Sequence, residues 1–350
     1  MINLVPTAEQ QQIINSVAGY LTRQFPLERL RPHTAGKHPH ECDKWMDLSA
    51  HGWFGLGIPE DMGGAGFSIV EEVLAYREFG RFLATPGVLA TSLGAHLACA
   101  AGEAALVGAL VSGEARVAAA SPIGLATAGA VLDGALHLFD ARGSKFLIVW
   151  NEDGMALVER ERLTDIRSVP GLDSTVTLER AYAKKARTKL FLPFADVALR
   201  HRANLLIAAS LVGMAEAARD LAVAHACVRE QFGKPIGAFQ GVAHHCADME
   251  VRARAARAQT FFAAVSDRDM RSHAALQISA AAIVAADAAL KNATMSIRVH
   301  GGMGYTAECD VHHYLKRAHL FGQLNGTSRT RQAELLAQPA PDLSAPAKGP

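Results

Sequence analysis

The sequence predicts a mostly α-helical protein with a small β domain in its middle. Two long stretches, before residue 116 and after residue 199, are rich in alanine and carry apolar residues at helical spacing. Between them, short apolar segments alternate with glycine-containing turns, which is typical of strands. At 350 residues the chain has room for two or three domains. We therefore expect a helical domain over residues 1–115, a β domain over 116–199, a helical bundle over 200–336 and a disordered tail over 337–350.

The N-terminal domain is expected to contain four helices. The first covers residues 7–25, with Thr7 as its N-cap and apolar residues recurring every three or four positions. The others are expected over residues 41–51, 69–80 and 87–111. The last is very rich in alanine and glycine, whose small side chains let helices pack closely.

Five strands are expected in the middle domain, over residues 130–139, 145–150, 155–159, 175–178 and 188–192. Residues 151–154 read Asn-Glu-Asp-Gly, which indicates a hairpin turn between the second and third of these strands.

The C-terminal domain is expected to be a four-helix bundle. Its helices are predicted over residues 205–229, 239–266, 273–299 and 310–321. The first two are separated by Gly-Lys-Pro at residues 233–235, because a proline inside a helix costs about 3 kcal/mol.

The composition argues against several classes of partner and site. The formal net charge of +1 gives no electrostatic case for nucleic acid or an anionic membrane. The five cysteines show no C-x-x-C spacing, so we expect neither a disulfide framework nor a zinc site. His244–His245 and His312–His313 are adjacent pairs whose side chains point to different helix faces, so no metal is expected. Residues 1–12 show no signal-peptide pattern and no apolar run is long enough to span a membrane, so we expect a cytoplasmic protein.

The most informative stretch is residues 229–240, which read Arg-Glu-Gln-Phe-Gly-Lys-Pro-Ile-Gly-Ala-Phe-Gln. Arg229 places a cation before the turn, Phe232 places an aromatic ring on it, and a helix begins just after it. These features suit a dinucleotide, since a guanidinium pairs with pyrophosphate and a helix start attracts anions. Taken alone, the same residues are also compatible with an ordinary turn between helices that carries a solvated arginine.

This stretch resembles the C-terminal signature of the acyl-CoA dehydrogenase family, and the resemblance continues in Ala247-Asp248-Met249. It implies an N-terminal helical domain, a middle β barrel or sandwich, and a C-terminal four-helix bundle. It also implies a tetramer with FAD at the subunit interfaces. The positions that match cofactor-binding residues of the family here are Arg229, Gln231, Phe232, Ile236 and Phe239.

Two further segments carry the resemblance. Residues 52–66, with six glycines in fifteen positions, resemble the N-terminal signature of the family. Residues 299–306 read Val-His-Gly-Gly-Met-Gly-Tyr-Thr and resemble the loop that lies along the FAD of a neighbouring subunit. This resemblance assigns Gly301 and Gly302 to the cofactor. Arg298 stands where the family usually has glutamine, and an arginine can still contact phosphate.

The catalytic base of the family is absent from its expected positions. Residues 324–327 read Leu-Asn-Gly-Thr and resemble the Tyr-Glu-Gly-Thr segment whose glutamate removes the α-proton of the acyl thioester. Asn325 occupies the glutamate position, and an amide is not basic enough to accept that proton. Thr327 keeps a hydroxyl that faces the flavin in the family. Some members carry the base at the start of the helix before the 229–240 stretch, but residues 202–205 here have no carboxylate. We therefore assign no catalytic residue.

The β domain departs further from the family pattern. Residues 118–126 keep only a proline of the flavin-contacting stretch, and no Trp-x-x-Thr segment is recognisable near residues 145–151. The resemblance therefore implies a chain that retains the residues it contributes to the FAD of a neighbouring subunit. It has lost many of the residues of its own FAD site.

Three hypotheses remain open. The first is a base-deficient subunit of a heteromeric acyl-CoA dehydrogenase, such as those acting on bulky steroid-derived thioesters, with a second family chain as partner. Such an enzyme would be a homo-oligomer or a heterotetramer. It would oxidise an acyl-CoA thioester whose acyl group the sequence does not identify. The second is a stand-alone flavin-dependent oxidase or monooxygenase, and the third is a flavin-free scaffold protein.

Overall fold

A computed structural model describes residues 4–31, 41–127, 129–150, 153–193, 197–324 and 326–339. The expected mostly α-helical fold with a β domain in the middle is confirmed. Ten α-helices are described: α1 Ala8–Gln24, α2 Trp45–Ala50, α3 Ile69–Arg81, α4 Pro86–Ala100, α5 Ala104–Val111, α6 Val197–Val228, α7 Gln240–Arg268, α8 Ala274–His300, α9 Val311–Leu324 and α10 Ser328–Ala337.

The first helix starts as the sequence predicts. The Thr7 side chain accepts a hydrogen bond from the Gln10 backbone at 3.2 Å, and the Gln10 side chain accepts one from the Thr7 backbone at 3.0 Å. This reciprocal capping box satisfies two amides that the helix start leaves without partners. One prediction in this domain is wrong: residues 87–111 are not one helix. The chain turns between α4 and α5, where Gly102 has a φ of +73°.

Seven strands form the central sheet: β1 Val117–Thr127, β2 Val131–Phe139, β3 Phe146–Trp150, β4 Gly154–Glu159, β5 Leu163–Val169, β6 Leu178–Arg187 and β7 Leu190–Pro193. Their order is β5-β6-β2-β1-β3-β4-β7, and all neighbours are antiparallel except β1 and β3. Residue 151 and residue 152 of the expected hairpin turn lie outside the described residues. The strands on either side, β3 and β4, do pair, with Trp150 opposite Met155.

The strand predicted over residues 175–178 is wrong. Asp173 accepts hydrogen bonds from the backbone and the hydroxyl of Thr175, at 3.0 and 2.6 Å, and this local turn replaces strand pairing. Strand β6 begins only at Leu178. Strands β1, β5 and β6 were not predicted, because β1 begins with an alanine run and β6 carries many charged residues.

The four predicted helices of the C-terminal region are confirmed as α6 to α9, and α10 is an additional helix. Helix α8 packs against α6, α7 and α9. By length and composition alone, the stretch Ala274–Tyr305 could span a membrane, but the same composition is usual for the central helix of a bundle. Residues 340–350 of the predicted tail lie outside the described residues.

Two buried arginines hold the connection between α3 and α4 against the rest of the chain. Arg317 donates to Asp173 at 2.6 Å and to the carbonyl oxygens of Leu83 and Ala84 at 2.6 Å each. Arg29 donates to Glu41 at 2.7 Å and to the carbonyl of Leu83 at 3.3 Å. Residues 80–85 and these four charged side chains, which we call the junction, link the N-terminal helices to α9 and to the loop before β6.

Candidate functional site

The stretch singled out in the sequence forms a small hairpin between α6 and α7. Strands β8, Glu230–Gln231, and β9, Lys234–Pro235, pair with Glu230 opposite Pro235. The turn between them places Phe232 at a φ of +53° and Gly233 at +77°. A non-glycine residue in this region is uncommon, which marks Phe232 as held in place by the hairpin.

The side chains of this hairpin point into solvent. Phe232 is 91% exposed. Its ring lies 6.1 Å from that of Phe239, in an edge-to-face arrangement. The Lys234 ammonium lies 4.3 Å from the centre of the Phe239 ring. Gln231 is exposed and donates only to the carbonyl of its neighbour Glu230, at 2.9 Å.

Two exposed guanidinium groups lie on this part of the protein. Arg229 follows the last residue of α6 and Arg298 lies in the last turn of α8, and both are exposed. Within the described part of the chain, neither guanidinium has a hydrogen-bond or ion-pair partner. Each is therefore free to bind an anion from outside the chain.

The glycine loop after α8 presents a bare backbone. Gly301 has a φ of +62°, and both Gly301 and Gly302 face open space where a side chain would stand. Gly304 differs, since a side chain there would press against the carbonyl oxygen of Ile297. The first two glycines can thus be approached closely by another molecule, whereas the third is required for packing within the chain.

The structure brings the hairpin and the glycine loop together. Ile236 packs against a small apolar cluster that includes Ala226, Met249 and Val299. On the same side, the rings of His225 and His300 stack with centroids 4.2 Å apart and planes at 22°. Residues 229–239 and 298–302 therefore share one end of the bundle, which we call the exposed end.

The histidine pair was not predicted from the sequence. His225 precedes Arg229 by four residues at the end of α6, and the Arg229 amide donates to the carbonyl oxygen of His225 at 2.9 Å. Burial, followed by the nearby His300 and Arg229, lowers the pKa of His225. The two rings also line a cavity of about 290 Å³ together with Met303. The exposed end is therefore larger than the sequence motifs indicate.

Thr327 is not part of this end. Its hydroxyl caps α10 by accepting a hydrogen bond from the Thr330 backbone at 3.2 Å. In the same helix Glu334 forms an ion pair with Arg200, near the start of α6. Arg229 lies at the other end of that helix, on the order of 40 Å away at 1.5 Å per residue. Asn325 lies outside the described residues.

A carboxylate does lie beside the start of α6, although the local sequence has none. Glu72 of α3 is buried and forms an ion pair with Arg202, while its other oxygen lies 2.7 Å from Nε2 of His96. Burial lowers the pKa of His96 to about 4, so the neutral ring donates to the carboxylate. Both oxygens of Glu72 are thus engaged, and it does not resemble a free general base.

One face of the sheet at the expected flavin site is packed with apolar side chains. Ala118 lies opposite Leu147 and Ala120 opposite Val149, and all four side chains are buried in one apolar cluster. Alanine and leucine side chains at these positions offer no polar group to a cofactor. On this face the chain's own sheet therefore offers FAD no polar contact, whereas the exposed end offers guanidinium groups and bare backbone.

The larger cavity among the described residues is a cleft of about 360 Å³ between the sheet and α9, and Ser121 of the 118–126 stretch and Leu324 of the 324–327 segment both line it. No group of three or more metal-binding side chains occurs within the described part of the chain.

Comparison with known proteins bears on both halves of the chain. The model of the acyl-CoA dehydrogenase N-terminal domain matches residues 7–108, and that of the C-terminal domain matches residues 198–339. Acyl-CoA dehydrogenase FadE34 of Mycobacterium tuberculosis is 38% identical over 309 residues, which cover 82% of this chain and 41% of that protein. This chain thus spans less than half the length of that relative. Acyl-CoA dehydrogenase IpdE2 of the same organism is 31% identical over 326 residues, covering 92% of this chain and 94% of that protein.

The fold comparison agrees. A chain of the ChsE4–ChsE5 complex from Mycobacterium tuberculosis superposes with a TM-score of 0.81 at 22% identity, covering 97% of this chain and 100% of that chain.

Proposed function

This chain belongs to the acyl-CoA dehydrogenase family, and on that premise we propose that it is a base-deficient subunit of a heteromeric, FAD-dependent acyl-CoA dehydrogenase. In this proposal a related partner chain supplies the catalytic base and the main FAD pocket. This chain lends its exposed end to the partner's FAD. The substrate class is an acyl-CoA thioester.

One observation carries the proposal. Cations without partners, an aromatic ring that is 91% exposed and a bare glycine backbone lie together at one end of the bundle. Exposed groups of this kind are poorly explained by the stability of the chain itself, because a solvated arginine contributes little to folding. They are well explained by a ligand held between two chains.

Each group at the exposed end has a role in the proposed contact. Arg229 and Arg298 pair with the pyrophosphate, since guanidinium groups bind phosphate oxygens with two parallel hydrogen bonds. Phe232 and Phe239 cover an apolar part of the cofactor, and Gln231 offers an amide donor and acceptor. Gly301 and Gly302 let the backbone approach the dinucleotide, while Ile236 fixes the hairpin to the bundle. Thr327 would serve a separate site, near α10.

Two buried carboxylates among the described residues are both engaged, which supports the same assignment. FAD, when bound, accepts the hydride in this family's oxidation, and a carboxylate must remove the α-proton. Glu72 is held by Arg202 and His96, and Asp173 is held by Arg317 and Thr175. A positioned general base contributes a factor of about 10²–10⁴ to the rate, so a chain without one depends on its partner for turnover.

The experiment is to purify the chain alone and together with a related family chain that retains the glutamate base. We expect the lone chain to hold little FAD and to show no acyl-CoA oxidation, and the pair to be yellow and active. Full FAD occupancy with turnover by the lone chain would reject the proposal. A yellow lone chain that consumes oxygen without oxidising acyl-CoA would instead favour the stand-alone oxidase.

Two matched variants sharpen the test. Phe232→Ala in the paired enzyme removes an exposed ring and should reduce FAD content several-fold, because stacking on an aromatic is worth about 1–3 kcal/mol per base. Its folding stability should stay within about 0.5 kcal/mol of wild type, as for other surface substitutions. Val251→Ala, at a residue that is 67% exposed on α7, serves as the control and should leave FAD content unchanged.

A further inference from the structure

Two histidines join the two parts of the exposed end. His225 lies in the last turn of α6, and His300 is the last residue of α8, directly before the glycine loop. Their rings stack with centroids 4.2 Å apart and planes at 22°. The Arg229 amide donates to the carbonyl oxygen of His225 at 2.9 Å, and the Ile236 amide donates to the carbonyl oxygen of Arg229 at 2.7 Å. The stack therefore connects the base of the hairpin to the glycine loop.

Each ring of the stack can take up a proton. Nδ1 of His300 lies 2.8 Å from the carbonyl oxygen of Ser296, one turn earlier in α8, so Nδ1 carries the hydrogen and donates. In the neutral ring, Nε2 is then the nitrogen without a hydrogen. Within the described ranges, the ring of His225 has no hydrogen-bond partner. The two rings are thus joined by ring contact alone.

The surroundings of the stack disfavour a positive charge on His225. Burial, followed by His300 and Arg229, lowers the pKa of His225. A cavity of about 290 Å³ beside the two rings brings in groups from the start of the chain and from the loop before α9. The charged and titratable groups that line this cavity or flank the rings on the same helix ends are Arg31, Arg229, Arg298, Glu308, Cys309 and Asp310.

The two carboxylates in this set do not compensate for the cations. Asp310 accepts hydrogen bonds from Nε and Nη2 of Arg31, at 2.7 and 2.6 Å, so its charge is already neutralised. Glu308 is exposed, and solvent and salt screen its charge. A second proton on the stack therefore has no free counter-charge nearby among the described residues.

Protonation favours the separation of the two rings. Two imidazolium rings with centroids 4.2 Å apart repel each other, whereas a ring that leaves the stack enters water and titrates near pH 6.5. Because the pKa of His225 is lowered in the stack, the stacked arrangement is favoured above pH 6.5 and is lost as the pH falls below that value. Each additional proton that opening takes up shifts this equilibrium by at most about tenfold per pH unit.

We propose that the stack of His225 on His300 is a proton-sensitive link, which holds the hairpin and the glycine loop in one arrangement at neutral pH and releases them in acid. This inference rests on the proposed function, because its consequence is the release of the FAD that the exposed end shares with the partner chain. The enzyme is therefore regulated by pH through a contact that lies within this chain.

The first test measures the FAD that the paired enzyme retains after gel filtration at pH 5.5, as a ratio to that retained at pH 7.5. Wild type should lose most of its FAD in acid. His225→Phe keeps an aromatic ring against His300 but cannot take up a proton, so its ratio should be several-fold higher. His273→Phe is the matched control and should give the wild-type ratio. His273 also stacks on an aromatic ring, that of Phe262, with centroids 5.9 Å apart, but it lies at the other end of α8.

The second test needs neither FAD nor a partner. In an NMR titration of the lone chain, the ring signal of His225 should have its midpoint below pH 6.5. His300→Phe should move this midpoint upward, because it removes one of the groups that lower the pKa of His225. If His300→Phe does not fold, Arg229→Gln removes the other charge at an exposed position and should produce the same upward shift.

The two tests distinguish failure of this inference from failure of the proposed function. A paired enzyme without FAD at pH 7.5 would reject the proposed function, and the titration of the lone chain would still decide whether the stack responds to protons. The inference is overturned if the midpoint of His225 lies at pH 6.5 or stays unchanged in the folded variants. It is also overturned if His225→Phe loses FAD in acid as wild type does.

Discussion

Arginines in two regions of this protein are used in opposite ways. At the junction, Arg29 and Arg317 are 2% and 1% exposed, and each donates to a carboxylate and to backbone carbonyls. At the exposed end, Arg229 and Arg298 lie in solvent and bind nothing in the described part of the chain. The buried arginines hold the domains of this chain together, whereas the exposed ones are available to another molecule. Mutations at the junction should therefore affect folding, whereas mutations at the exposed end should affect assembly with another molecule.

The largest effect is expected at the junction. Arg317→Met keeps much of the side-chain volume but leaves Asp173 buried without its cation. Removing one partner of a buried ion pair costs about 3–5 kcal/mol, so the free energy of unfolding should fall by that amount in urea denaturation.

The matched control is Arg268→Met, whose partner Asp269 lies on the surface. Exposed pairs contribute about 0–1 kcal/mol, so this variant should unfold close to wild type. Equal losses for both variants would contradict the distinction between the two regions.

Glycine substitutions test the same difference between a packed region and the exposed end, with a smaller expected change in stability. A side chain at Gly80 would overlap the backbone carbonyl of Ser210, where α3 crosses α6. Gly80→Ala should therefore cost about 1–3 kcal/mol of stability, as overpacked cores do.

Gly302→Ala is the counterpart at the exposed end, where the added methyl group meets no atom. It should leave the melting temperature unchanged and lower the FAD content of the paired enzyme. A stable Gly80→Ala variant, or a Gly302→Ala variant with normal FAD content, would break the comparison.

A pH dependence on α9 is expected as well. His313 is 2% exposed, and burial lowers its pKa to about 4. Since the unfolded side chain titrates near pH 6.5, the unfolded state binds more protons between these values. The stability contributed by the neutral ring is complete above pH 6.5 and is lost as the pH falls toward 4, by about 1.4 kcal/mol per pH unit at most.

His313→Phe should flatten this part of the curve when urea midpoints are measured from pH 7 to pH 4. His319→Gln, an exposed histidine on the same helix, should not. An unchanged slope in His313→Phe would show that other groups control acid unfolding.

Local patterns in the sequence were enough for the fold class and for most helices. Thr7 and Gln10 encode the start of α1 within four residues, and Gly-Lys-Pro marks the break between α6 and α7. The break after α4 was missed because the surrounding alanines favour a helix regardless of where the chain must turn. Strand β6 was missed because its charged residues conceal the alternation of its buried alanines.

The site could be predicted only in part, for the same reason. Arg229 and Gly301 belong to short motifs, so both could be found without a structure. The pairing of Arg202 with Glu72 joins residues that are far apart in the chain, and the stacking of His225 on His300 does the same. Contacts of this kind depend on how helices pack, and spacing along one segment does not report them.

The exposed end also affects the solubility of the chain when it is on its own. On or directly beside this end, Val228, Phe232, Met303 and Tyr305 are 77%, 91%, 54% and 76% exposed, so water contacts several large apolar side chains. A formal net charge of +1 provides little mutual repulsion between molecules near neutral pH. The single chain is therefore expected to self-associate reversibly in concentrated solution. Covering this surface would raise the solubility of the chain without any change in its fold.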